Sequence, residues 1–155
     1  MAETPTSRLH ELGYELPAVP TPAGSYVPAV RSGSLIFTAG QLPFENGQLF
    51  RTGKVEAEVT VEEAKEAARL CALNALAAAT SEAGDLDVIR RVVRVAGYVA
   101  SSPGFNRQPE VLNGASDFLG EVFGGNGLHA RTAVGVAELP LNSPVEVELV
   151  VEAAT

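Results

Sequence analysis

The chain has 155 residues, 46% of them hydrophobic and 19% charged, with one cysteine and no tryptophan. That is the size and composition of a single globular domain and excludes a disordered chain. No apolar run approaches the ~18 residues that span a bilayer. A formal net charge of −8 argues against nucleic acid as a partner, because such binding rests on Lys and Arg neutralising phosphates.

Aromatic residues at 6% offer little for a base-stacking platform. A small carboxylate-bearing ligand is still admissible, since one Arg suffices to hold it. Cys71 alone cannot close an internal disulfide, and with only two histidines in the chain it makes a poor zinc site. The expectation is a reducing compartment, the cytoplasm, and no metal. Met1-Ala2-Glu3-Thr4-Pro5 has neither the basic nor the apolar region of a secretory signal.

Residues 1–25 read as an N-terminal arm ahead of one domain over 26–155. Pro5, Pro17, Pro20 and Pro22 with Gly13 and Gly24 interrupt any long element. Arg8–Leu12 is predicted to form one helical turn, with the arm packing on its own domain. Tyr26–Val30 and Leu35–Ala39 flank a Ser32-Gly33 turn and predict a hairpin. Asn46-Gly47 and Thr52-Gly53 mark residues 44–59 as a loop with one short strand at most.

Thr60-Val61-Glu62-Glu63 is a capping box. The helix it opens should run to about Glu82 and stop at Gly84. Val61, Ala64, Ala68, Cys71, Ala75 and Ala78 form its apolar stripe. Small side chains allow close approach, so this helix is expected to lie on sheet, with Cys71 a buried structural thiol. Ile89–Ser101 is predicted to be a Val-rich strand whose Arg90, Arg91 and Arg94 form a solvated or salt-bridged edge. A second helix follows over about Gln108–Phe123, ended by Gly124-Gly125-Asn126-Gly127. Ala130–Leu139 and Val145–Glu152 complete the chain as strands. The order β-β-α-β-α-β-β gives a two-layer α+β domain, and one sheet face then needs covering, commonly by another copy of the chain.

Nucleophile elbow, P-loop, HExxH and GxGxxG signatures are all missing from the sequence. His10 and His129 read as ordinary arm and loop histidines. Two charged residues in the final strands stand out. Arg131 opens an otherwise apolar strand and has the planar fork that grips a carboxylate. Glu146 is one of three glutamates on the polar face of the last strand. If the last two strands form a hairpin centred near Asn142, Arg131 lies opposite Ala153. Glu146 is then about seven residues, or ~23 Å, away along the strand. A shared site would have to lie between subunits, or the strands must pair in some other way.

Tyr26, Thr38-Ala39-Gly40-Gln41-Leu42-Pro43, Asn113 and Arg131-Thr132-Ala133-Val134, followed by Glu146-Val147-Glu148, resemble the reactive intermediate deaminase family (Rid, also called YjgF or endoribonuclease L-PSP). The resemblance spans residues 24–153. It implies a chorismate-mutase-like α+β fold and a homotrimer with a central sheet barrel and three intersubunit clefts. It also implies cofactor-free hydrolysis of 2-imino acids, or their enamines, to 2-keto acids and ammonia. Carried over by position, Arg131 would bind the substrate carboxylate and Glu146 would hold the attacking water. Gly40 and Ala133 would offer main-chain contacts, Tyr26 would close the pocket and Asn113 would line it. Ala39, the remaining candidate contact, stands where many members carry Ser, and Ala133 where deaminating members often carry Cys. Those two substitutions motivate an alternative, a non-catalytic carboxylate-binding or interaction trimer of the same fold.

Overall fold

A computed structural model describes residues 3–19 and 21–155; Met1, Ala2 and Pro20, which the arm reading included, lie outside the described residues. The arm begins with α1 (Pro5–Glu11), started by a Thr4–Ser7 capping box. Its Leu9 is buried in the core. Tyr14 then stacks edge-on against Phe118 at 5.6 Å between ring centroids, and the Arg69 guanidinium lies 4.3 Å from the Tyr14 ring centre. Apolar and cation–π contacts thus anchor the first part of the arm on the domain.

Strands β1 (Ala29–Ser32) and β2 (Leu35–Thr38) form the expected hairpin, turning at Gly33 with φ +63°. The loop over 44–59 holds a small hairpin of its own, β3 (Phe44–Glu45) and β4 (Gln48–Leu49), joined by Asn46-Gly47 in positive φ. Helix α2 (Val61–Ala83) starts where the capping box required and ends at Gly84, φ +94°. Strand β5 (Ile89–Ala100), helix α3 (Gln108–Phe123), β6 (Ala130–Val136) and β7 (Val145–Ala153) follow. The glycines after α3 form one 3₁₀ turn.

The main sheet has the order β1-β2-β7-β5-β6. It decides a pairing that the sequence left open. The last two strands are not a hairpin: β6 pairs parallel with β5, while β7 pairs antiparallel with β5 and β2. The connection over 137–144 therefore passes β5 rather than turning back beside β6. Arg90, Arg91 and Arg94 are solvent-exposed, as expected, although β5 itself lies inside the sheet between β7 and β6; Arg94 donates to the Thr132 hydroxyl across the parallel pair at 3.0 Å.

Helices α2 and α3 cover one sheet face. Along β7 the residues Val145, Val147, Leu149, Val151 and Ala153 are buried under them. The helices pack closely because α2 is rich in alanine and α3 carries Gly114. A Cβ added there would stand 1.9 Å from the Lys65 carbonyl oxygen. The other face carries Val30, Phe37 and Val134, which are 53%, 44% and 41% exposed. No helix among the described residues is long and apolar enough to cross a membrane.

Gly114→Ala drives a methyl into the α2 backbone and should cost about 3 kcal/mol. Gly120→Ala, on the same helix with open space around it, should gain up to about 1 kcal/mol from helix propensity. Urea midpoints of the two variants, moving in opposite directions, check this reading of the helix crossing.

Candidate functional site

The sheet registers place Arg131 level with Val95 and Leu149, and Glu146 level with Tyr98. Side chains alternate between faces along each strand. Val95 and Leu149 are buried under the helices, so Arg131 is on the helix-covered face. Glu146, between buried Val145 and Val147, is on the other. Within one protomer they stand three residues out of register, ~10 Å along the strand, and two strand spacings, ~10 Å, apart. One small molecule cannot touch both within a single chain.

Arg131 projects from edge strand β6 against α3. Its Nη1 donates to Asn113 Oδ1 at 2.9 Å and to Ser116 Oγ at 3.2 Å, and Nη2 donates to the Pro109 carbonyl at 3.2 Å. Three acceptors on one helix face therefore aim the guanidinium, while its five N–H groups leave two for a ligand. Ser116 in turn meets His129 Nε2 at 2.9 Å, and His129 Nδ1 lies 2.6 Å from the Gly127 carbonyl oxygen. A carbonyl only accepts, so Nδ1 carries a hydrogen, and Nε2 hydrogen-bonds the Ser116 hydroxyl. His129 is thus tied into the support of Arg131, where the sequence read it as an ordinary loop residue. Ala133 lies two residues along on the same face, packed against the core. A concavity of about 600 Å³ opens beside Arg131, Ser116 and His129.

Glu146 sits in a second cavity of about 530 Å³ with Tyr26 and Gly40. Gly40 lies directly against it: a Cβ there would come within 2.5 Å of Glu146 Oε2 and would displace the carboxylate. The segment holding Gly40 is locked to β7 by Gln41 N–H to Val147 O at 2.8 Å and Val147 N–H to Gln41 O at 3.0 Å. Ala39 is fixed beside it, its N–H donating to Pro28 O at 2.7 Å. The Tyr26 hydroxyl accepts from the Ala23 N–H at 3.4 Å. Of the seven sequence-predicted site residues, Glu146, Gly40 and Tyr26 line one cavity, with Ala39 next to Gly40 in the chain; Arg131 lines the other, held by Asn113, while Ala133 packs on the core two residues along the same strand.

Burial first, and the neighbouring Glu148 charge second, push the Glu146 carboxyl up from its ordinary value. Tyr98, whose hydroxyl donates to Glu148, is also raised, first by that hydrogen bond. Stability linked to Glu146 is therefore present below the ordinary glutamate range and lost as pH rises through the raised value. Cys71 is buried on α2, its thiol donating toward Val145 O at 3.5 Å and held well above the ordinary range by burial. It is a structural thiol, as expected. No group of three or more potential metal ligands occurs among the described residues.

Reading the sequence missed Ser116 and His129, and the arm and loop residues around Glu146. Ser116 was within reach: it follows Asn113 by three positions on a helix, hence on the same face. Thr21, Pro22, Phe44 and Leu141 were not, because only folding brings them together.

Residues 6–153 match a family model described as YjgF/chorismate_mutase-like, putative endoribonuclease. The chain is 46% identical to protein TCP17 of Trypanosoma cruzi, covering 94% of this chain and 92% of that one. It is 30% identical to a 2-iminobutanoate/2-iminopropanoate deaminase of Dermatophagoides farinae, covering 87% and 91%. The crystal structure of protein Atu1372 from Agrobacterium tumefaciens superposes with a TM-score of 0.89 at 45% identity, covering 98% and 93%.

In a carbon-detected NMR titration, the Glu146 carboxyl should ionise above an ordinary glutamate. Glu148→Gln removes the like charge and should move that midpoint down, by less than the whole displacement because burial persists.

Proposed function

The chain belongs to the YjgF/chorismate mutase-like family, and from that premise we propose that it is a cofactor-free hydrolytic deaminase of 2-imino acids, working in clefts between the subunits of a homotrimer. One observation carries the reading: the aimed guanidinium of Arg131 and the desolvated carboxyl of Glu146 stand on opposite faces of one sheet. They can serve one small substrate only if Arg131 comes from a neighbouring copy. The exposed apolar side chains of Val30, Phe37 and Val134 on the open face support such an assembly. The Dermatophagoides farinae relative, named for imine deamination, supports the reaction.

The chemistry asks little of the protein. The Arg131 fork holds the substrate carboxylate by two charge-assisted hydrogen bonds and so orients the imine carbon. Glu146, as carboxylate, takes a proton from a bound water as the water oxygen bonds to that carbon. The proton passes to the nitrogen, which becomes the amine of a carbinolamine. Glu146 then relays the hydroxyl proton to that nitrogen as the C–N bond breaks, so that ammonia leaves and the keto group forms. A carboxyl whose pKa is raised by burial is a stronger base than an ordinary glutamate when ionised, which suits its taking a proton from water. RNA cleavage, the other activity in the family description, fits poorly with a net charge of −8 and with a His129 engaged in holding Arg131.

Imines made in situ from amino acids by an amino-acid oxidase should disappear faster with the protein than without it. Arg131→Ala should lower kcat/KM by at least about a hundredfold through lost orientation. Glu146→Gln should lower kcat by a similar factor or more through lost proton transfer, on the order of 10²–10⁴. Carboxylate binding by calorimetry with no turnover of any imine would replace the reading with a non-catalytic binder. Monomeric protein by light scattering at assay concentration would remove the shared cleft.

A further inference from the structure

The cavity beside Glu146 is larger and more apolar than a three-carbon imino acid requires. Its volume of about 530 Å³ falls in the ~300–1,000 Å³ range that holds drug-sized ligands. Apolar side chains make most of its wall: Pro22 and Ala23 from the arm, Tyr26 after it, Phe44 from β3, and Leu141. Among the described residues, polar groups join Glu146 in the lining from Gln41, Thr21 and the hydroxyl of Tyr26.

Two features show that the wall is built rather than incidental. The arm is anchored upstream by buried Leu9 and by Tyr14, which is stacked on Phe118 and covered by Arg69. Leu141, on the far side, is 64% exposed and holds a backbone φ of +58°, with Asn142 at +59°. An exposed leucine in the left-handed region gains nothing for the fold and is strained there. It does give the cavity mouth an apolar edge opposite Tyr26, itself 53% exposed.

We propose that this arm-walled cavity takes the side chain of the substrate, and that the side chain is bulky and apolar, branched aliphatic or aromatic. The inference rests on the imine-deaminase reading for the reaction but not for the binding. The carboxylate end is held by Arg131 of a neighbouring copy, the reacting carbon lies at Glu146, and the remainder of the molecule extends between Ala23, Phe44 and Leu141.

The test compares imines generated from alanine, leucine and phenylalanine on the full chain, with the corresponding 2-keto acids measured for binding by calorimetry. The leucine- and phenylalanine-derived imines should exceed the alanine-derived one in kcat/KM by at least tenfold, the scale on which apolar pockets discriminate. The bulky keto acids should bind tighter than pyruvate by a similar factor. Ala23→Trp, which fills the cavity, should reverse the order. Leu141→Asn removes the apolar edge while easing the backbone strain, so it should flatten the preference in a protein at least as thermally stable. That second variant keeps the test intact should Ala23→Trp fold poorly. Turnover with equal or opposite preference, or variants that leave the preference where it was, overturns the inference and spares the deaminase reading. Selective binding of the bulky keto acids without turnover does the reverse. Neither turnover nor binding overturns both.

Discussion

Alternation along β7 governs the molecule. Every second residue from Val145 to Ala153 is buried beneath the helices, and Glu146, Glu148 and Glu152 must therefore face the other way. A strand slipped by one residue would bury three carboxylates and expose the apolar row, so the register is held by the hydrophobic effect itself. Placing β7 in the middle of the sheet, between β2 and β5, makes that choice binding on its neighbours. With Glu146 on the open face, Gly40 lies directly against its carboxylate, where a side chain would have to push it aside.

The same parity, read across β5, sends Arg131 to the helix side. There the edge position of β6 matters. An interior strand would have closed Arg131 under the helices, at the high cost of a buried charge. At the edge, the guanidinium reaches along α3 and is held by Asn113, Ser116 and the Pro109 carbonyl while staying open to a ligand. The close helix crossing at Gly114 brings α3 near enough to α2 for that face to be stable, and Gly114 directly follows Asn113 in the chain. Packing and site geometry are coupled at one turn of one helix.

The open face combines exposed Val30, Phe37 and Val134 with a desolvated Glu146 beside Glu148. An isolated protomer gains nothing from that arrangement: apolar surface is left in water and two carboxyls repel. On the proposed reading both costs have a purpose, since a second copy covers the apolar residues and its arginine brings positive charge to the cleft. The arm adds the element that distinguishes one substrate from another. It touches the domain through Leu9 and Tyr14 far from the cleft, and its later residues line the cavity at Glu146.

Much of this was legible from residues alone, wherever the signal is local. The α2 ends follow from Thr60, Glu63 and Gly84, because capping bonds span three or four residues. The burial of β7 follows from its strict alternation, while Arg131 and Glu146 were singled out as a pair by the family resemblance, since their types alone left each open to an ordinary surface reading. Strand pairing was not local. Whether β7 turns back on β6 or passes beyond β5 depends on how both helices pack over the sheet, and no short window of sequence encodes that. The sequence therefore left open whether the last two strands pair as a hairpin, and the sheet order decides that they do not. The cavity wall lay beyond reach for the same reason: Ala23, Phe44 and Leu141 are distant in the chain and meet only in the folded protein. Residue types and periods determined the elements, their buried faces and the chemical candidates, since those depend on nearest neighbours. Which candidates face one another was decided by the tertiary structure, because sheet order and face parity are properties of all strands at once.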